Sequence, residues 1–245
     1  MIFAFIVLSM AGSLNAQLVA VTDNVCSKLA VQDDAILFAK DSPEYGCELW
    51  AFSNGTTELF ADITPGPAST RPGIEATLGS ALIIRSGVLD DDIVPWTVAA
   101  FRDGELIPFD NIVGVVGTFA EQVLLVDRNG DDLLAYDGDE MRFLHSGVHG
   151  YKSGLVEYEG RAYFGAVWEG IGLEPSYFDG TSVKLLENVT NPGSTWPTGF
   201  RVAGGDLYFR NGTNALFKYD GTEVSLIDQF RLEPGVVGNI TEFHG

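Results

Sequence analysis

The sequence predicts an all-β chain folded as a β-propeller of about five four-stranded blades. Two recurrent signals and one absence lead there. A short apolar strand recurs as Ile36-Leu37-Phe38-Ala39, Leu82-Ile83-Ile84-Arg85, Val123-Leu124-Leu125-Val126, Ala162-Tyr163-Phe164-Gly165 and Leu207-Tyr208-Phe209-Arg210, with starts 46, 41, 39 and 45 positions apart. An aromatic residue closely followed by a turn interleaves with it: Phe52-Ser53-Asn54-Gly55, Phe101-Arg102-Asp103-Gly104, Tyr136-Asp137-Gly138, Phe178-Asp179-Gly180 and Tyr219-Asp220-Gly221. Periodic helical patterning is missing, which excludes a helical solenoid. Four antiparallel strands in about 43 residues is the spacing of a propeller blade. A β-sandwich also shows short strands at regular spacing, but it does not require five matched aromatic-turn units.

Each unit follows the same local logic. Asn-Gly and Asp-Gly predict two-residue hairpin turns, because these residues accept positive φ at little cost. An aromatic strand such as Glu48-Leu49-Trp50-Ala51-Phe52 precedes the turn. A short alternating strand such as Thr57-Glu58-Leu59-Phe60 or Val224-Ser225-Leu226-Ile227 follows it. A Pro/Gly loop then leads to a further strand, and a second tight turn at Gly79-Ser80, Glu159-Gly160 or Gly204-Gly205 returns the chain to the next apolar strand. The units run approximately 23–72, 73–111, 112–151, 152–197 and 198–235, with the start of a further strand in 236–245. A blade cannot bury both faces alone and must stack on its neighbours. Two closures are compatible with the ends. Leu18-Val19-Ala20-Val21 and the stretch from Val236 to Phe243 pair with each other or with the first blade to close a five- or six-bladed ring. Alternatively the ring is incomplete and the chain is a fragment of a larger surface or adhesion repeat protein.

The first residues read as a processing signal. Ile2 to Leu8 are apolar, and small residues follow at Ala11, Gly12, Ser13 and Ala16. This is an apolar h-region with a small-residue cleavage site after Ala16. It is too short for a bilayer span, which needs about 20 residues. The expected division is therefore a signal peptide over 1–16 and a repeat domain over 17–245. The competing reading is a buried N-terminal strand. No later stretch is long and apolar enough to span a membrane. Export places Cys26 and Cys47 in an oxidising compartment, where a bridge over that loop contributes about 3 kcal/mol in the chain-entropy model. The two strand starts that carry them lie two strand spacings apart, about 10 Å, so the loops must lean together. The competing reading is two buried thiols. The expected location is secreted, periplasmic or cell-surface.

Charge narrows the partners. With 34 Asp+Glu against 14 Lys+Arg, the net charge is −20. No basic footprint exists to neutralise phosphates, which excludes an ordinary nucleic-acid binder, and an anionic membrane surface is disfavoured likewise.

The stretch Gly46-Cys47-Glu48-Leu49-Trp50-Ala51-Phe52-Ser53-Asn54-Gly55-Thr56 resembles the ELWxxDGT repeat family, with Asn54 in place of the Asp. Ala61-Asp62-Ile63-Thr64-Pro65-Gly66 and its continuation to Pro72 resemble the segment that follows in that family. The fourth unit keeps Tyr177-Phe178-Asp179-Gly180-Thr181 and Asn191-Pro192-Gly193-Ser194-Thr195-Trp196-Pro197. The fifth keeps Leu216-Phe217-Lys218-Tyr219-Asp220-Gly221-Thr222. The second and third units are degenerate. The resemblance implies a secreted or cell-surface β-propeller, mostly bacterial and mostly without an assigned activity. It implies no catalytic residues.

Several constellations could carry chemistry. Asp127, Asn129, Asp131 and Asp132 offer oxygens at near-alternating positions, a calcium-like arrangement that lacks the EF-hand Gly and Glu; calcium is the cofactor they suggest, and a solvated acidic turn is the plainer reading. Asp90-Asp91-Asp92 is a second oxygen cluster. His145 and His149 have the i, i+4 spacing of a helical zinc pair, but Gly147 and Gly150 place them in a loop. Glu157 and Glu159 share a strand face, and Glu169 and Glu174 flank a Gly-rich loop; a glycosidase-type pair needs two carboxylates set apart in one cleft. Trp50 is expected to pack between blades. Trp168 and Trp196 fall in loop-like segments, where exposed rings could stack on sugars or grip a protein. Asn54, Asn188, Asn211 and Asn239 begin glycosylation sequons, two of which coincide with repeat turns. Together these features predict a secreted or cell-surface binding module for an extracellular glycan or protein ligand. The alternative is a polysaccharide-active hydrolase or lyase using acidic loop residues.

Overall fold

The computed structural model describes residues 5–7, 18–20, 25–67, 71–87, 97–129, 132–149, 155–190, 193–212 and 215–229. Among these the chain is all-β, with no helix. Strands β1 (Phe5–Val7) and β2 (Leu18–Ala20) pair antiparallel. β1 falls within the segment read as a signal peptide, and the cleavage point after Ala16 lies outside the described residues. Five antiparallel sheets follow as propeller-like blades. The first holds β3 (Ala30–Gln32), β4 (Ala35–Ser42), β5 (Gly46–Ser53) and β6 (Thr56–Ala61). The second holds β7 (Gly73–Leu78), β8 (Ala81–Ser86), β9 (Thr97–Arg102) and β10 (Glu105–Pro108). The third holds β11 (Ile112–Phe119), β12 (Gln122–Asp127), β13 (Asp132–Tyr136) and β14 (Met141–Ser146). In the fourth the first strand is in two pieces, β15 (Val148–His149) and β16 (Val156–Tyr158), both paired to β17 (Arg161–Trp168); β18 (Gly172–Phe178) and β19 (Val183–Leu185) complete it. The fifth holds β20 (Pro197–Ala203), β21 (Asp206–Asn211), β22 (Ala215–Tyr219) and β23 (Val224–Gln229). Each blade is a simple meander, with neighbours in sequence adjacent in the sheet.

The chain divides into two compact units, 1–110 with the first two blades and 111–245 with the other three. Inside each unit the apolar strands pack blade on blade. In the first unit Leu37 and Leu49 meet Ile74, Leu82, Ile84, Ala99 and Phe101. In the second, Leu124, Val126 and Leu133 meet Ala162, Phe164 and Phe178, and Tyr158 and Tyr163 meet Leu207, Phe209, Phe217 and Tyr219. Alternate residues of β17 therefore serve opposite neighbours, which is why its sequence reads as an unbroken apolar run. Full burial of one such side chain contributes about 1.5–3 kcal/mol. It also pushes the Tyr163 phenol up to about 12, since the charged form loses its hydration.

The aromatic-turn motif couples neighbours. Phe178 meets Phe119 of the preceding blade edge-on at 5.9 Å, and Tyr219 meets Tyr158 at 6.1 Å. Phe119 and Tyr158 both end the first strand of their blade. Tyr158 also donates its hydroxyl to the Gly205 carbonyl of the fifth blade at 3.0 Å. From the third blade, Arg142 donates to the carbonyls of Gly180 and Thr181, and Gln122 to that of Gly180, gripping the fourth blade's turn.

Two turn chemistries replace the one expected from sequence. Asn54-Gly55 and Asp103-Gly104 make two-residue hairpins with both φ values positive, as a type I′ turn requires. In the last three blades the loop holds four residues, since Tyr136 pairs Met141, Phe178 pairs Val183 and Tyr219 pairs Val224. There Asp137, Asp179 and Asp220 each accept two backbone N–H bonds through Oδ1, at 2.9–3.0 Å. These bonds hold the Asp137 and Asp220 carboxyls below the ordinary carboxylate range. Asp179 is lowered further, first by a bond from Lys184 at 2.6 Å and then by the backbone amides.

The Cys26–Cys47 disulfide forms, with the Cα atoms 6.9 Å apart. Val25 bridges Lys40, and Cys26 N donates to the Ala39 carbonyl at 2.9 Å, so the segment entering the first blade hugs β4. This closes the two-strand gap expected from strand spacing alone. Such a bridge belongs to a non-cytoplasmic compartment. No helix among the described residues is long and apolar enough to cross a membrane. The stretch from Val236 to Phe243, on which the expected ring closure turned, lies outside the described residues.

Candidate functional site

A meander has two ends, and here they differ. One end carries the tight turns between first and second strands and between third and fourth. The other carries the connections from second to third strand and from each fourth strand to the next blade, including 62–72 and 186–196. Loops on a rigid scaffold are where binding side chains are usually placed. Asp127, His145, Trp168, Glu169 and Trp196 all fall at this loop end, as does Cys47.

The fourth blade gathers the most. Trp168 is not in a loop as the sequence suggested; it ends β17 and pairs in register with Gly172. Glycines at 170 and 172, with φ of 74° and 112°, make a short reversal that reads as loop in sequence. The Trp168 indole N–H donates to Ser176 Oγ at 3.0 Å, and Ser176 Oγ donates to the Glu174 carbonyl at 3.1 Å. The His145 ring lies 4.7 Å from the Trp168 ring, and its Nε2 meets the Val167 carbonyl at 2.8 Å. His145 is on β14 and His149 on β15, so the pair occupies two strands rather than the expected loop, and Gly147 turns the chain between them at φ 77°. His145 is thereby tied to the backbone and an indole. This was invisible in sequence, where its obvious partner was His149.

Trp196 stands 55% exposed. Its backbone, by contrast, is clamped. Trp196 N donates to the Leu173 carbonyl at 3.3 Å, and its own carbonyl accepts from Gly212 N of the fifth blade at 2.9 Å. Leu173 pairs Val167 and neighbours Gly172. Trp196 and Trp168 thus flank the start of β18, about two strand spacings or 10 Å apart in backbone. Trp196 has φ 53° and precedes Pro197, a conformation that branched and bulky residues rarely adopt. Arg71, exposed before Pro72, has φ 45° at the corresponding place in the first blade's loop.

Beneath Trp196 lies Glu174, fully buried. It accepts from Val189 N and Thr195 N, both at 3.1 Å, and from the Thr195 hydroxyl, with the Thr190 hydroxyl 3.4 Å away. Glu48, also fully buried, accepts from Ile63 N at 2.9 Å. The two bonds span the same fifteen positions. Glu48 and Glu174 are thus structural acceptors that fix the loop after the fourth strand of their blades. The signal was present in the shared spacing Glu48 to Ile63 and Glu174 to Val189.

The other expected sites are dispersed. Asp127 is buried and its Oδ1 accepts from Asp132 N at 3.1 Å, closing the turn of the third blade. Asn129 is exposed, and Asp131 lies outside the described residues, as do Asp90-Asp91-Asp92 and Trp96. Among the described residues no three His, Cys, Asp or Glu side chains gather as a metal site. Glu157 and Glu159 do not share a strand face, since β16 ends at Tyr158 and Glu159 is in the tight turn with φ 47°. Glu169 is exposed in the β17–β18 turn, whereas Glu174 is engaged as above. Trp50 packs within its own blade, with the Lys40 ammonium 4.7 Å above its ring and Tyr45 edge-on at 6.2 Å. Asn54 is exposed at a turn, the Asn188 side-chain oxygen is buried, and Asn239 lies outside the described residues.

No protein-family model matches the chain. No curated protein sequence matches it either. Among solved structures it is similar to an acylaminoacyl peptidase from Pyrococcus horikoshii, at 19% identity and a TM-score of 0.47, covering 87% of this chain and 39% of that one. It is also similar to a virginiamycin B lyase from Staphylococcus aureus, at 12% identity and a TM-score of 0.44, covering 94% and 79%. A third is BamB from Moraxella catarrhalis, at 11% identity and a TM-score of 0.40, covering 86% and 76%. The chain therefore spans well under half the length of the peptidase.

Proposed function

We propose that this chain is an exported interaction module of the ELWxxDGT repeat type, secreted, periplasmic or at the cell surface. It binds a glycan or protein ligand at the loop end of its blades, with Trp196 and Trp168 as contact residues. One observation carries the reading: Trp196 projects its ring from a backbone clamped on both sides and held at positive φ. An exposed indole on a preorganised backbone gives up little conformational freedom on binding, and its flat apolar face suits a sugar ring or a protein surface. The disulfide and the absence of a basic footprint agree with an extracellular, non-nucleic-acid partner.

A test is binding of the purified chain to glycan and extracellular-protein arrays, beside Trp196→Ala. The expected outcome is a discrete set of ligands whose binding falls tenfold or more in the variant. Binding that survives the substitution unchanged, or no binding at all, would overturn the reading.

A further inference from the structure

We infer that Glu174 is a positioning residue for Trp196: a buried carboxylate latch sets the ring at the rim although it lies beneath the surface. The inference rests on the proposed binding role for Trp196, but its geometry stands alone. Four donors converge on the carboxylate, the amides of Val189 and Thr195 and the hydroxyls of Thr190 and Thr195. They come from both ends of the connection that leads to Trp196, so one side chain closes that loop as a clasp. Thr195 is itself fully buried and immediately precedes Trp196. Its amide reaches both Glu174 Oε1 and the Leu173 carbonyl. Ser194 Oγ, accepting from Leu173 N at 2.9 Å, fastens the same segment to β18. With these residues fixed on one side, and the Trp196 carbonyl held by Gly212 N on the other, the Trp196 φ is set from both sides.

Chemistry selects a carboxylate here. Each oxygen faces one backbone amide, which can only donate, Thr195 N on Oε1 and Val189 N on Oε2, with the Thr190 and Thr195 hydroxyls beside them, and a carboxylate is acceptor-only, with capacity for each. An amide in its place turns an N–H₂ toward other donors and leaves one of them without a partner, at the cost of a buried unsatisfied group. The recurrence in the first blade is a second, independent observation. There Glu48 holds Ile63 across the same fifteen positions, and Arg71, before Pro72, takes the same positive φ as Trp196. The bond that ties the carboxylate to the start of the loop thus recurs in both blades, while the residue before the proline differs, Trp196 in one and Arg71 in the other.

The test reads the Trp196 ring directly, without a ligand. The chain is labelled with fluorotryptophan and the four resonances assigned, Trp196 from Trp196→Phe. Glu174→Gln is expected to shift or broaden the Trp196 resonance by more than its linewidth while those of Trp50 and Trp96 stay in place. A Trp196 resonance that is unmoved in a folded variant overturns the inference. If Glu174→Gln fails to fold, Thr195→Val decides on the same readout, because it removes the hydroxyl donor and keeps the backbone. A moved Trp196 signal there supports the latch, and an unmoved one overturns it. Failure of the array experiment with a moved resonance would sink the ligand role and leave the latch standing.

Discussion

Asp137, Asp179 and Asp220 follow an aromatic residue directly, and each folds its oxygen back onto the next two free amides. The aspartate of the repeat is therefore a turn former, and its chemistry needs no ligand. Its charge still matters. Lys184 and the turn amides hold the Asp179 carboxyl below its ordinary value. A lowered folded-state value means that the stabilisation is complete above the unfolded value of about 3.9 and is lost as the pH falls through the folded one. Lys184 is raised by the same pair; its share is present below its unfolded value of about 10.4 and is lost as the pH rises through the folded one. Both side chains are partly exposed, so solvent screening keeps the pair's contribution small. Asp179→Asn should thus lower the unfolding free energy slightly at about pH 7, and the gap to the parent should narrow at about pH 3. Urea titrations at the two pH values check this, and an unchanged gap would show that the carboxylate's charge plays no part.

At the scale of elements, two glycines of similar φ separate backbone freedom from packing. Gly55 has φ 83° and nothing within 4 Å of the position a Cβ would take. Gly147 has φ 77°, but a Cβ there would meet the Val167 Cβ at 2.7 Å. Gly55→Ala should cost only the left-handed backbone term, about 1–2 kcal/mol. Gly147→Ala should add an overpacking term of about 1–3 kcal/mol, because β14 and β17 cannot separate without losing the Gly147–Val167 backbone bond. Chemical unfolding of both variants checks the difference; equal losses would mean that Val167 simply moves aside. The same scale shows what the sequence made legible. Strands buried on both faces write continuous apolar runs, so β4, β8, β12, β17 and β21 could be found and their period counted. Turn length was missed because it depends on a single residue: Ser53 and Arg102 separate the aromatic from the turn in the first two blades, and nothing does in the last three. A repeated bulge on the fourth strand, at Phe60, Leu144 and Ile227, left no mark in sequence either. It twists an outer strand and blunts it against edge pairing. Trp196 was legible as a tryptophan beside a proline. Glu174 was marked only by the fifteen-residue spacing it shares with Glu48, and its burial shows only when the fold brings residues 189 and 195 to it.

At the scale of the whole molecule, the charge is the dominant unspent term. A net −20 on 245 residues is far from balance, and self-repulsion at that density opposes the compact state. The ion pairs described do little to offset it, since they join partly exposed groups and such pairs contribute at most about 1 kcal/mol each. Raising the salt from about 0.01 M to about 1 M shortens the Debye length from about 30 Å to about 3 Å. Repulsion between distant carboxylates is then screened, whereas the turn bonds of Asp137, Asp179 and Asp220 act at contact and persist. The melting temperature should therefore rise with sodium chloride, by about 2–4 °C for each kcal/mol of relieved repulsion in a chain of this size. Calcium at matched ionic strength sharpens the reading. A rise equal to that with sodium means diffuse screening, and a larger one means that a carboxylate group such as the Asp127 turn gathers the ion. A melting temperature indifferent to both salts would show that the acidic groups already lie too far apart to repel, and the charge would then bear on partner choice alone.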